Sequence, residues 1–168
     1  MEMQIDMKTR PPGEIALLLD LLDQAYEKKS WHGANLRGSI RGIGIEELLW
    51  RPAPGRHNIW EHVVHAAYWK YTVWRRLAGE KRGSFPLKGS NWIKRDGLDA
   101  AAWRADQRVL DEIHRKLHDA VAELTPVELP QAPSGSKVSN VAIITGIAYH
   151  DVYHGGQIQL LKRLFRAS

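Results

Sequence analysis

The sequence predicts an all-α protein, a four-helix bundle with long inter-helix connections, on three observations. Four stretches carry apolar residues at three- and four-residue steps, the period of a helix with one buried face. No stretch alternates apolar and polar residues between hairpin turns, so no sheet is expected. Connectors rich in proline and glycine separate the four stretches. Helices with one apolar stripe each bury those stripes most economically against one another.

In the first stretch Ile15, Leu18, Leu19, Leu22, Ala25 and Tyr26 form the stripe, with Asp20, Asp23 and Glu27 between them. The helix is expected from Glu14 to about Lys29, opened by Pro11-Pro12-Gly13 and broken by Ser30-Trp31-His32-Gly33. Gly38, Gly42 and Gly44 then leave Ser39 to Leu49 short and irregular, with at most a turn over Glu46 to Trp50. Arg51-Pro52-Ala53-Pro54-Gly55 forces a connector. The second helix runs from about Ile59 to Leu77, where Asn58 is the N-cap and Glu61 completes a capping box. Gly79 ends it. From Glu80 to Gly97 there is no periodicity, and long loops in compact proteins are often functional. Asp99 caps a third helix to about Leu124, striped by Trp103, Leu110, Ile113, Leu117, Val121 and Leu124. Thr125 to Lys137, with Pro126, Pro130 and Pro133, is a linker to the fourth helix, expected from about Asn140 to Phe165.

Composition bounds the function. With 168 residues, 43% hydrophobic and 26% charged, the chain reads as one domain, 1–168, able to bury a core. The absence of cysteine excludes disulfides and thiolate metal ligands, and fits a reducing cytoplasm. The stretch from Met1 to Gly13 has no apolar signal core, and no run approaches the roughly 18 to 20 apolar residues that span a bilayer. A soluble cytoplasmic protein without a membrane partner is expected. The net charge is +5, but lysine and arginine occur as singles and pairs (Arg75-Arg76, Lys81-Arg82, Lys94-Arg95, Lys162-Arg163) among acids. That distribution is a solvated mixed surface rather than a nucleic-acid footprint.

The chemistry concentrates in the last helix. His150 and His154 lie about 40° apart around its axis and one turn apart along it, the spacing at which two imidazoles share a metal. Ile143, Ile147, Ile158, Leu161 and Phe165 fall on the same arc, so both histidines belong to the buried face. Core histidines satisfied by hydrogen bonds are the plainer alternative. The second helix offers further imidazoles. Periodicity favours His62, near the centre of the arc of Ile59, Ala66, Val73 and Leu77, over His65 at its edge, without deciding between them. Gln157, one turn beyond His154, is placed to orient a bound water, while Asp151 points about 100° away, to the surface or to another helix. Glu61 could pair with the other ring nitrogen of His65 or orient the water, but capping is preferred. His114 and His118, beside or off their stripe, read as surface residues. Trp60, Trp74 and Trp103 read as core; Trp31, Trp69 and Trp92 are candidates to line a pocket. Gly155-Gly156 suggests close helix approach.

Three segments together resemble the DinB/YfiT-like family over nearly the whole chain. They are Trp31-His32-Gly33, the run from Arg51 through Ile59-Trp60-Glu61-His62-Val63-Val64-His65, and His150-Asp151-Val152-Tyr153-His154-Gly155-Gly156-Gln157-Ile158. The resemblance implies a four-helix bundle with a three-histidine metal site whose first ligand matches His65. The implied set is therefore His65, His150 and His154, with His62 as the alternative. Three imidazoles leave a coordination position open, as catalytic sites do. Zinc or nickel is the expected divalent cofactor, and iron or manganese also fits such ligands. The family includes transferases that use a low-molecular-weight thiol, a maleylpyruvate isomerase that does likewise, and hydrolases. The resemblance thus implies a metal-dependent transferase or hydrolase, a homodimer, and a small-molecule substrate that includes such a thiol. The alternative is a non-catalytic dimeric bundle that binds metal or ligand. The family's damage-inducible name implies no DNA chemistry.

Overall fold

The computed structural model describes residues 11–97 and 99–168. Residues 1–10, most of the stretch expected to lack a signal core, lie outside the described residues. The chain is all-helical: α1 (Gly13–Tyr26), α2 (Leu36–Ser39), α3 (Ile45–Leu49), α4 (Ile59–Leu77), α5 (Ala100–Ala122), a 3-10 turn (Pro126–Glu128) and α6 (Asn140–Ala167). No strand occurs among the described residues; an isolated bridge pairs Ser30 with Gly33. Among the described residues, no helix is long and apolar enough to cross a membrane.

The caps fall where the side chains allow. Asn58 accepts the Glu61 N–H and the Glu61 carboxylate accepts the Asn58 N–H, so both halves of the capping box at α4 are present. Asp99 and Ser139 cap α5 and α6. α1 stops at Tyr26, short of the expected Lys29, because the N–H groups of Glu27 and Lys28 both turn back to the Asp23 carbonyl. The Lys28 carbonyl is then taken by the Asn35 amide at 2.7 Å. The same Asn35 accepts the Gly38 N–H at 2.7 Å and starts α2.

α4 packs against α5 and α6, and α1 packs against the same two helices, which closes a four-helix ring. α2 lies on α6 and α1, and α3 on α4. The core has two apolar parts. Trp60, Val63, Leu110 and Ile158 belong to one, and Leu22, Val73, Leu117 and Ile144 to the other. Between them lies a charged layer built from three helices. Lys70 and Asp151 are both 0% exposed and His114 is 4% exposed. The Lys70 ammonium donates to the Asp151 carboxylate and, at 3.1 Å, to His114 Nδ1. His114 also stacks on Tyr26 at 3.7 Å. Burial and then the Lys70 charge push His114 down to about 2, which keeps it a neutral acceptor. One expectation is corrected here, since His114 is not a surface residue; of the two places expected for Asp151, it takes the inter-helix one. His118 keeps partial exposure near Asp23.

Candidate metal centre

Because α4 and α6 are neighbours, the histidines of one face those of the other. His150 Nε2 lies 3.2 Å from His65 Nε2 and 3.1 Å from His154 Nε2. The three residues can each offer one ligand atom with all such atoms within 4.8 Å of one another. Nitrogens at about 2.0–2.1 Å from a tetrahedral zinc are about 3.3 Å apart, close to the two short separations. The group could hold a metal ion.

The far side of each ring decides which nitrogen points inward. His65 Nδ1 is 3.1 Å from the Asn91 carbonyl, to which it can only donate, so its Nε2 lone pair faces the other two rings. Asn91 sits in the left-handed region at φ 57°, which asparagine tolerates better than most residues. Its side-chain oxygen accepts the Trp69 indole N–H at 3.0 Å. His62 is not part of the inward group; its Nδ1 lies 2.8 Å from His154 Nδ1. With His154 Nε2 free to bind, the shared proton belongs on His154 Nδ1 and His62 accepts it. The Nδ1 of His150 is buried without a hydrogen-bond partner among the described residues.

Burial lowers the basicity of every ring. It takes His65 and His150 down to about 4 and His154 to about 2, with the neighbouring imidazoles adding to the shift at His150 and His154. The Asn91 carbonyl works against burial at His65. All three rings are neutral at pH 7, so a cation would displace no protons from them.

The long loop before α5 shapes the surroundings. The Trp92 ring lies between two imidazoles, 3.6 Å from His57 and 3.8 Å from His65, nearly parallel to both. A cavity of about 370 Å³ opens beside His154, bounded by Trp92, His57, His62 and Gln157 and by the apolar Leu160 and Leu164. Gln157 therefore lies where it can meet a bound molecule. Glu61 does not. Its carboxylate is 2% exposed and accepts from Arg51 at 2.6 and 2.9 Å, from the Arg95 N–H at 3.2 Å and lies 3.1 Å from His57 Nδ1. Burial alone would raise it, but the Arg51, Arg95 and His57 contacts hold it at about 2. Glu61 thus clamps the connector and the loop to the first turn of α4.

Of the tryptophans expected at a pocket, Trp69 flanks His65 and His150, Trp92 covers the site, and Trp31 is fully exposed and lines nothing. Trp60 and Trp103 are core. A Cβ on Gly155 would make only ordinary contacts of 3.7 Å with the backbone entering α2, and one on Gly156 would meet open space. Neither glycine enforces a close approach. Sequence reasoning missed Asn91 and His57. An asparagine after Gly89-Ser90 in an aperiodic loop is a recognisable left-handed candidate, but nothing local tells which ring its carbonyl will meet.

A family model described as the DinB superfamily matches residues 30–158, more than half of the chain. No significant match to a curated protein or to a solved structure accompanies it.

Proposed function

The chain belongs to the DinB superfamily, and from that premise we propose that it is a metal-dependent enzyme in which His65, His150 and His154 hold one divalent ion. Zinc or nickel suits three neutral imidazoles best. The observation that carries this reading is the convergence of three nitrogens within 4.8 Å, two of them oriented from behind by Asn91 and His62. When bound, the ion would act as a Lewis acid that lowers the pKa of a thiol or water near neutral pH.

The chain's own residues do the rest. Asn91 and His62 fix ring orientation, Trp92 shields one side, and Leu160 and Leu164 offer an apolar wall to a small-molecule substrate. The Gln157 amide supplies one donor and one acceptor group at the mouth. With no cysteine in the chain, a reacting thiol comes from outside it, and a low-molecular-weight cosubstrate suits a cavity of this size. Thiol transfer is the first reaction class and hydrolysis the second. A homodimer is supported by Tyr149 and Tyr153, which are 63% and 62% exposed on one side of α6, and the absence of cysteine suits a cytoplasmic location.

Elemental analysis of the purified protein tests the site. About one divalent ion per chain is expected, and His150→Ala or His154→Ala should abolish it while helical circular dichroism persists. Full occupancy in either variant would refute the site. Side by side, His65→Ala should lose the ion and His62→Ala retain it. A screen of thiol cosubstrates with electrophilic acceptors then tests catalysis; full occupancy with no turnover of any pair favours the non-catalytic dimeric bundle.

A further inference from the structure

A second cavity, of about 480 Å³, lies between the later turns of α4 and the loop that follows it. Tyr68, Trp69 and Thr72 line it from the helix and Phe85 from the loop. Arg75, Arg76, Arg82 and Lys88 also line it, and no acidic residue does. None of these four cations has a carboxylate within 4.0 Å among the described residues. Unpaired arginines also occur singly elsewhere among the described residues, as at Arg104 and Arg163, so the distinguishing feature is that four such cations share one space with aromatic walls.

The cavity is held open by its own hydrogen bonds. The N–H groups of Gly83 and Ser84 donate to the buried Tyr71 hydroxyl oxygen at 3.1 and 3.2 Å, and the Ser84 hydroxyl lies 3.3 Å from the same oxygen. Phe85 packs against Tyr68 and Tyr71 at 5.4 and 5.3 Å. Arg75 and Arg76 are in the last turn of α4, where cations offset the helix dipole. The dipole does not account for Arg82 and Lys88, which the loop brings to the same space, or for the aromatic walls.

We propose that this cavity binds a small organic anion with a planar aromatic body, the rings against Tyr68, Trp69 and Phe85 and the carboxylate or phosphate among the arginines. Guanidinium groups recognise both anions in forked geometry. The volume falls in the range of small-molecule sites and leaves room for more than a bare phosphate. The site does not depend on the proposed metal centre, with which it shares the Trp69 side chain as a neighbour.

Calorimetric titration of the full chain with four probes tests it: 2-naphthoate, 2-naphthyl phosphate, 2-naphthol and inorganic phosphate. At least one naphthyl anion should bind saturably at one per chain, about tenfold or more tighter than naphthol or phosphate alone. Whichever of the two binds more tightly identifies the anion. Arg76→Gln and Arg82→Gln should each weaken binding by about tenfold, and Arg163→Gln, the same charge change on α6, should not. Circular dichroism checks that the variants fold. The site is refuted if naphthol binds as tightly as the anions, if no probe saturates, or if Arg163→Gln weakens binding as much as Arg82→Gln. Complete loss of anion binding on stripping the protein with a chelator, as opposed to the partial weakening that a loop shared between the two sites would cause, would also overturn it, by assigning the probe to the metal centre.

Discussion

Replacing Lys70 with methionine removes one charge from the buried layer and leaves the other. The two Asp151 oxygens then have nothing to accept from, because Lys70 is the partner of one and the other has none. With both residues 0% exposed, no water screens the orphaned carboxylate. Breaking such a pair from one side costs about 3–5 kcal/mol. In a chain of this size that lowers the melting temperature by roughly 2–4 °C per kcal/mol. Removing both charges, as in Lys70→Met with Asp151→Leu, should recover most of the loss, since buried pairs replaced by apolar residues are often neutral. Urea unfolding of the metal-free protein, followed by circular dichroism, measures Lys70→Met, Asp151→Leu and the double variant without linkage to metal. A single variant within about 1 kcal/mol of the parent, or a double variant as unstable as the two singles summed, would refute the idea that the layer is a coupled pair.

Two further outcomes are expected. Because His62, His65 and His150 sit at about 4 in the fold against 6.5 for the free ring, the unfolded chain binds more protons between those values. Their contribution is fully present above pH 6.5 and is lost as pH falls toward 4, at roughly 2 kcal/mol per ring by pH 5, less than additively for neighbours. A urea midpoint unchanged between pH 7 and pH 5 in the metal-free protein would contradict this. Asn91→Ala should lower metal affinity by about tenfold or more in a competitive chelator titration, because the left-handed backbone behind His65 is strained with alanine. Asn91→Gly should recover part of the loss, and an alanine variant with parental affinity would show that the loop does not orient the ring.

Much of the frame could be read from periodicity. The long helices are recognisable from stripes such as Ile15-Leu18-Leu22 and Leu110-Ile113-Leu117, and the inward turn of His150 and His154 follows from the arc that they share with Ile147 and Ile158. Periodicity pointed to His62, and the structure turns that ring onto His154 instead, with His65 at the edge of the arc reaching the gap between helices. On α4 it is the edge of the stripe, facing α6, that brings a ring within reach of His150 and His154. Lys70 and His114 escaped for another reason, and Asp151 was legible only as a surface or inter-helix residue without its partner. Each is a single polar residue on its own helix, and only the packing of three helices shows that they belong together. The loop contributed Asn91 and Trp92 without any periodic signal.

That loop reaches both cavities in one continuous piece. Arg82, Gly83 and residues 85–89 line the arginine-rich space, and just beyond Ser90, Asn91 and Trp92 stand behind and beside His65. A molecule that restrains the first part therefore restrains the second. If occupancy of one site favours the ordered loop, the other site gains affinity by the same factor, since linkage between two binding equilibria is reciprocal. The coupling needs no shift of the helices, only a narrower distribution of loop conformations. It would show as metal affinity that rises with the concentration of an aromatic anion.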